Sequence, residues 1–331
     1  MALGFGLAQW VPQSSNSGAS LRGVSAVDAR VAWASGANAT ILKTEDGGVT
    51  WGGVAAPSGA EALDFRSIQA FDAKRAYVMS VGPGGQSRIY KTLDGGAHWS
   101  LGLQNSHASG FFDAIAFWSF ERGVAVGDAV DGRMFVALTS DGGKKWEEVD
   151  GGHIPAAREG EGAFAASGTC LRLGPKGRAW IGTGGTGGSR VFRSNDWGRS
   201  WQVSEAPLQH ENASSGIFSI AFRDARHGIA VGGDYTKPSQ DRGNVALTAD
   251  GGQTWVVPGA RPAGFRSAVM FLRDALLAVG TSGTDLSRDG GQSWTHLSDA
   301  PLNAMSFANQ DVGWAVGPKG TIRKFTGVPK Q

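Results

Sequence analysis

One octapeptide pattern, Ser/Thr-x-Asp-x-Gly-x-x-Trp, recurs six times along the 331 residues, at Thr44–Trp51, Thr92–Trp99, Thr139–Trp146, Ser194–Trp201, Thr248–Trp255 and Ser287–Trp294. Self-similarity of this kind restricts a chain to a repeat architecture, because each unit is one supersecondary element that buries its apolar face only against its neighbours. Five copies read Asp-Gly-Gly, at Asp46, Asp94, Asp141, Asp250 and Asp289, and the remaining one reads Asp196-Trp197-Gly198. The chemistry is that of a turn. An Asp carboxylate accepts backbone N–H bonds across it, glycines supply positive φ, and the Trp ring packs into the core.

Upstream of each copy lie further alternating segments, such as Arg66–Phe71, Ala76–Val81 and Ile89–Thr92. Each repeat thus supplies four strands, a to d, with the d strand starting near the Trp, and four antiparallel strands per repeat make a propeller blade. Inner strands are expected to begin near Leu21, Phe65, Phe112, Gly162, Ile217, Phe265 and Leu302, which makes seven. Second strands carry Trp33, Tyr77, Val124, Trp180, Ile229, Leu277 and Trp314 at one register, read as packing between blades. The last repeat, Asn303 to Phe325, lacks its fourth strand, whereas Ala8-Gln9-Trp10-Val11-Pro12 is a spare one. The expected fold is therefore all-β, a seven-bladed β-propeller of four-stranded antiparallel blades forming one domain over residues 1–331. Residues 8–12 complete the last blade and remove the exposed sheet edges of an open ring. Deleting residues 1–12 should unfold or aggregate the protein.

Composition narrows the chemistry. The 52 glycines suit many tight turns, and a net charge of +2 without a basic run gives no electrostatic footprint for nucleic acid. A single cysteine, Cys170, excludes an internal disulfide framework and a Cys-based metal cluster. Its apolar surroundings suit a small buried residue. No apolar stretch reaches the roughly 18–20 residues of a membrane span. The six histidines show no metal-ligand spacing, and no Gly-x-Ser-x-Gly elbow is present. No metal and no cofactor is implied. Residues 1–8 are apolar with a small-residue end but lack a basic n-region, so they read either as the stub of an export signal or as an artificial start.

The octapeptide is similar to the Asp-box of BNR-repeat proteins, a resemblance that covers nearly the whole chain. It implies that each box lies between the third and fourth strands of a blade, on the face opposite the starts of the inner strands, so that the six aspartates are structural. Units such as His227–Gly232 followed by Thr248–Trp255, and Val312–Gly317, most resemble the photosystem II stability/assembly factor family. That resemblance implies a seven-bladed, non-enzymatic chaperone with an arginine-rich patch, carried onto this chain only at Arg22, Arg66 and Arg266. Sialidases share the boxes but are six-bladed and carry an Arg-Ile-Pro motif near the N-terminus, an arginine triad and a Tyr/Glu nucleophile pair with an Asp acid. Here His153-Ile154-Pro155 is the nearest string to that motif and lies mid-chain.

Aligning the inner-strand starts places Arg22, Arg66, Asp113, Gly162, Phe218, Arg266 and Asn303 around the mouth of the central channel. Three guanidiniums in one ring suit a carboxylate or phosphate. The bland alternative is that they are solvated or pair with Asp64 and Glu161. Long connections at 150–161 and 233–244, and the glycine-rich 182–190 loop, edge the same sector. That loop leaves N–H groups free for an anion or is simply flexible, and it lacks the lysine and helix of a P-loop.

Two functions follow. The first is a binding or assembly scaffold whose top face recognises a protein segment, an anionic small molecule or a carbohydrate through Arg22, Arg66, Arg266, Arg158, Arg190, Asp234 and Tyr235. The alternative is a sialidase-like glycoside hydrolase using Glu159, Glu161, Asp234 and Tyr235, which needs two carboxyls about 5–9.5 Å apart, one with a raised pKa. Against it stands a surface role for each carboxylate. A monomer in a periplasmic or secreted location completes the expectation.

Overall fold

The computed structural model describes residues 10–273 and 275–327. Their strands form seven antiparallel sheets arranged as a β-propeller with almost no helix. Inner strands are Leu21–Ala26, Asp64–Ala70, Phe112–Phe117, Leu171–Leu173, Ser215–Phe222, Ala268–Phe271 and Ala304–Phe307, in blades one to seven. The ring closes as expected, since Trp10–Gln13 pairs antiparallel with Ile322–Phe325 and becomes the outer strand of blade seven. Residues 8 and 9 of the expected strand lie outside the described residues. Gln13 is the clasp of this closure: its Oε1 accepts from Trp51 Nε1 of blade one and Trp314 Nε1 of blade seven, both at 3.0 Å.

The octapeptide turns repeat one hydrogen-bond set. In the first, Thr44 Oγ1 donates to Asp46 Oδ1 at 2.9 Å and accepts from Gly48 N at 2.8 Å, while Thr50 N donates to Asp46 Oδ1 at 3.0 Å. Bonds from the Thr50 hydroxyl and amide hold the Asp46 carboxyl at about 2. In the fourth turn Trp197 occupies the place of a glycine with φ 68°, stacked edgewise on Trp118 and under the Arg122 guanidinium. The second-strand residues expected between blades, Trp33 through Trp314, are all buried. Several also lock neighbours by hydrogen bonds, Trp33 Nε1 to Asp72 O and Trp180 Nε1 to Gly251 O.

Two departures from the regular repeat shape the centre. Blade five lacks a full outer strand, Val256 making only a single bridge to Leu247, and gains two short strands on its inner edge, Glu161–Gly162 and Gly184–Gly185. Blade four accordingly does not begin at Gly162, as the sequence suggested. Its inner strand is Leu171–Leu173, and the intervening segment 163–170 turns across the propeller axis. Ala165 O accepts from Arg66 of blade two, and Ser167 Oγ donates to Ser267 O of blade six at 2.8 Å. Thr169 Oγ1 donates to Ser219 Oγ of blade five. This crossbar divides the channel into an upper mouth, at the starts of the inner strands, and a lower chamber.

Candidate functional site

The residues that reach into the mouth are re-aimed by a repeated backbone device. The inner strands of blades one, two, three and five each slip register near their start, between Leu21 and Gly23, Phe65 and Ser67, Phe112 and Ala114, and Ile217 and Ser219. A bulge of this kind turns one extra side chain out of the strand alternation. The four bulged residues are Arg22, Arg66, Asp113 and Phe218, and all four line the mouth, a cavity of about 480 Å³. Glycine on the second strand makes room for the close approach. A Cβ at Gly127 would lie 2.2 Å from Phe111 O, and one at Gly232 1.8 Å from Gly216 O.

The mouth is lined by arginines, aspartates and aromatic rings. Arg66 Nε donates to Asp64 at 2.7 Å and its Nη1 reaches Ala165 O at 3.3 Å. Arg22 makes no hydrogen bond and no ion pair with any described residue, and burial, then the Arg66 charge, lowers its pKa against the attraction of Asp64. Asp113 and Asp128 line the same cavity. Burial, then the Asp128 charge, pushes the fully buried Asp113 carboxyl well above the usual range against the pull of the nearby Arg66 charge, and burial pushes Asp128 up to about 6, against a hydrogen bond from Ala163 N. Phe164 stacks on Phe218 with centroids 3.9 Å apart, Phe265 meets Phe218 edge-on at 4.7 Å, and Tyr235 stands at the rim, 53% exposed. The same Asp128, Ala163, Phe164 and Ala213 also line a second cavity of about 720 Å³, so the mouth runs on into a groove towards Arg158 and Glu159.

Other residues singled out in the sequence are used differently. Arg266 does not join the ring. It is wholly buried, with its guanidinium spent on Asp285, Ser282 Oγ and the carbonyls of Ala263 and Phe265. Arg190 pairs with Glu161 in the interior and donates to Ala156 O at 2.8 Å. Glu161 also accepts from Thr183 Oγ1 and Arg158 N, so every strong position on that carboxylate is taken. Arg158 forms an exposed fork with Glu205 at 2.6 and 3.2 Å. Asp234 is buried, which raises its pKa, but hydrogen bonds from Ser214, Thr236 and Asn212 overcome that and hold it below the usual carboxylate range. Gly162 lines the groove and not the mouth. Of the residues named for the site, Arg22, Arg66 and Tyr235 meet around one cavity. Asp128, Phe164 and Phe265 were not anticipated there.

The glycosidase arrangement gains no support from this geometry. Glu161 is consumed by Arg190, and Asp234 is fixed as an anion rather than raised as an acid. Among the described residues no group of three or more His, Cys, Asp or Glu side chains is placed to hold a metal ion, and no helix is long and apolar enough to cross a membrane.

No protein-family model matches the sequence, and no curated protein matches it. Solved structures do match in fold. A structure described as YCF48 bound to D1 peptide superposes with a TM-score of 0.66 at 19% identity, covering 98% of both chains. YCF48 from Cyanidioschyzon merolae gives 0.68 at 18% identity over 96% of this chain and 99% of that one. The WD40 β-propeller domain of Doa1 gives 0.64 at 10% identity, with 97% of each chain covered. At these identities the chain shares its fold with YCF48 and with the Doa1 β-propeller domain.

Proposed function

We propose that this chain is a non-enzymatic binding or assembly scaffold, and that the mouth at the starts of its inner strands takes an acidic protein segment. The observation that carries the reading is Arg22, a half-buried guanidinium in an aromatic-walled cavity that makes no hydrogen bond or ion pair of its own, the Asp64 carboxylate that attracts it being bonded to Arg66. An unpaired, desolvated cation costs stability unless an anion meets it. Phe164, Phe218 and Tyr235 offer apolar area for the flanking side chains of such a segment, a combination that marks peptide-binding hot spots. A propeller of the same fold has been solved with a peptide bound. The octapeptide turns, with their repeated Thr–Asp–Gly bonding, support grouping the chain with Asp-box propeller scaffolds.

The test is fluorescence anisotropy with labelled random-peptide pools sorted by net charge. The acidic pool binds the wild-type chain in preference to the basic one, with affinity falling as salt rises. Arg22→Gln/Arg66→Gln abolishes that preference while the circular dichroism is unchanged. Equal binding of acidic and basic pools, or acidic binding that survives the double substitution, would overturn the reading.

A further inference from the structure

Below the crossbar the channel opens into a second chamber of about 390 Å³, lined by inner-strand residues of blades one, two, three, four, six and seven. Its lining is unusual in charge. Arg172 is the one ionisable residue among those lining it, with no Asp or Glu to balance it. The Arg172 guanidinium makes no hydrogen bond or ion pair with any described residue. Burial alone lowers its pKa, and no carboxylate stands near enough to raise it again. Around it the chamber presents hydroxyls. Ser25 Oγ and Ser306 Oγ each accept a backbone N–H from the next blade, from Ala70 and Ala26 at 3.0 Å, which leaves both O–H protons free to donate. Ser67 Oγ likewise accepts from Ile115 N and adds a third free proton.

A guanidinium and O–H donors lining one chamber, with no competing acid, suit an oxyanion. We infer that the lower chamber binds a small tetrahedral oxyanion of the phosphate or sulfate class, held by Arg172. This site is separate from the mouth, because segment 163–169 lies between them: Ala163, Phe164, Ala165 and Ala166 line the mouth, whereas Ser167, Gly168 and Thr169 line the chamber. The anion enters from the face of the octapeptide turns and neutralises the charge at the centre of the ring.

Thermal unfolding of the full chain tests this, in sodium phosphate or sodium sulfate against sodium chloride of equal ionic strength. Because both oxyanions stabilise proteins generally, the reading is the difference between variants. The wild type and Arg22→Gln/Arg66→Gln rise by about 4 °C more than Arg172→Met at a hundredfold excess over Kd. Arg172→Lys, which keeps the charge but loses the fork, falls between them. Equal shifts in wild type and Arg172→Met overturn the inference, and so does loss of the extra shift in the mouth variant, which would move the anion to Arg22 and Arg66. Should Arg172→Met fail to fold, selenate-soaked crystals of the wild type decide. An anomalous peak within hydrogen-bond distance of the Arg172 guanidinium supports the site, and an empty chamber refutes it.

Discussion

Replacing Gln13 by Ala removes a single acceptor on which two blades depend. Trp314 is 0% and Trp51 4% exposed, and the Nε1 of each donates to Gln13 Oε1 at 3.0 Å. The substitution leaves two buried indole N–H groups without a partner. Each costs roughly 1–3 kcal/mol, and partial entry of water into the new space brings the sum to about 2–4 kcal/mol. With an unfolding entropy of about 2.1 cal/mol/K per residue, a chain of this length loses roughly 3–6 °C of Tm. Gln13→Glu keeps the Oε1 acceptor, losing only the long Nε2 bond to Gly47 O at 3.4 Å, and is expected to lose less than half as much at neutral pH. Urea unfolding followed by tryptophan fluorescence and by far-ultraviolet circular dichroism measures both variants. A change below about 0.5 kcal/mol in Gln13→Ala would refute the reasoning, since the closure would then rest on strand pairing and not on the shared clasp.

Three other perturbations probe the centre of the ring. Arg22→Gln removes a half-buried charge without an ion pair, on which burial and the repulsion of Arg66 outweigh the attraction of Asp64, so the free protein gains up to ~1 kcal/mol in urea unfolding, whereas a loss of more than that amount would mean that Arg22 is structural. Glu161→Gln weakens the interior pair with Arg190 and costs about 3 kcal/mol by the same measurement, which separates its structural duty from any catalytic one. The Asp128 carboxyl, pushed up to about 6, binds a proton in the folded state that the unfolded chain has already released. The stability contributed by that proton is therefore present below about pH 4 and lost as pH rises through about 6. Asp128→Asn, which keeps the oxygen that accepts from Ala163 N, flattens this decline between pH 4 and 7, and an unchanged slope would show that Asp128 titrates normally.

The architecture was legible because the signals that specify a blade are local. The Thr–Asp–Gly–Trp turn satisfies its own hydrogen bonds within eight residues, and the buried second-strand residues recur at one register, so both can be counted along the chain. Closure by the Trp10 strand was legible for a related reason, since a repeat lacking its last strand and a chain start supplying one leave a single pairing. The centre was harder to read, because it depends on contacts between blades. Arg266 and Arg22 occupy equivalent places, and only the fold brings Asp285 into a direct pair with the first while the Asp64 near the second is bonded to Arg66. The bulges that turn Arg22, Arg66, Asp113 and Phe218 into the mouth leave no mark on hydropathy. The start of blade four was misplaced because Glu161-Gly162 does form a strand, but one that pairs with Gly184–Gly185 on the edge of blade five. Arg172, between Leu171 and Leu173, has the alternation of any half-exposed strand, and nothing local shows that its side chain lines the central chamber.

The account rests most directly on where an acidic segment sits. A crystal structure of the chain with the tightest-binding peptide from the acidic pool is the decisive measurement. The account predicts a peptide carboxylate within hydrogen-bond distance of the Arg22 guanidinium and an adjoining side chain against Phe164, Phe218 or Tyr235. A peptide seated on the face of the octapeptide turns, or along the outer strands with Arg22 still unpartnered, would contradict it.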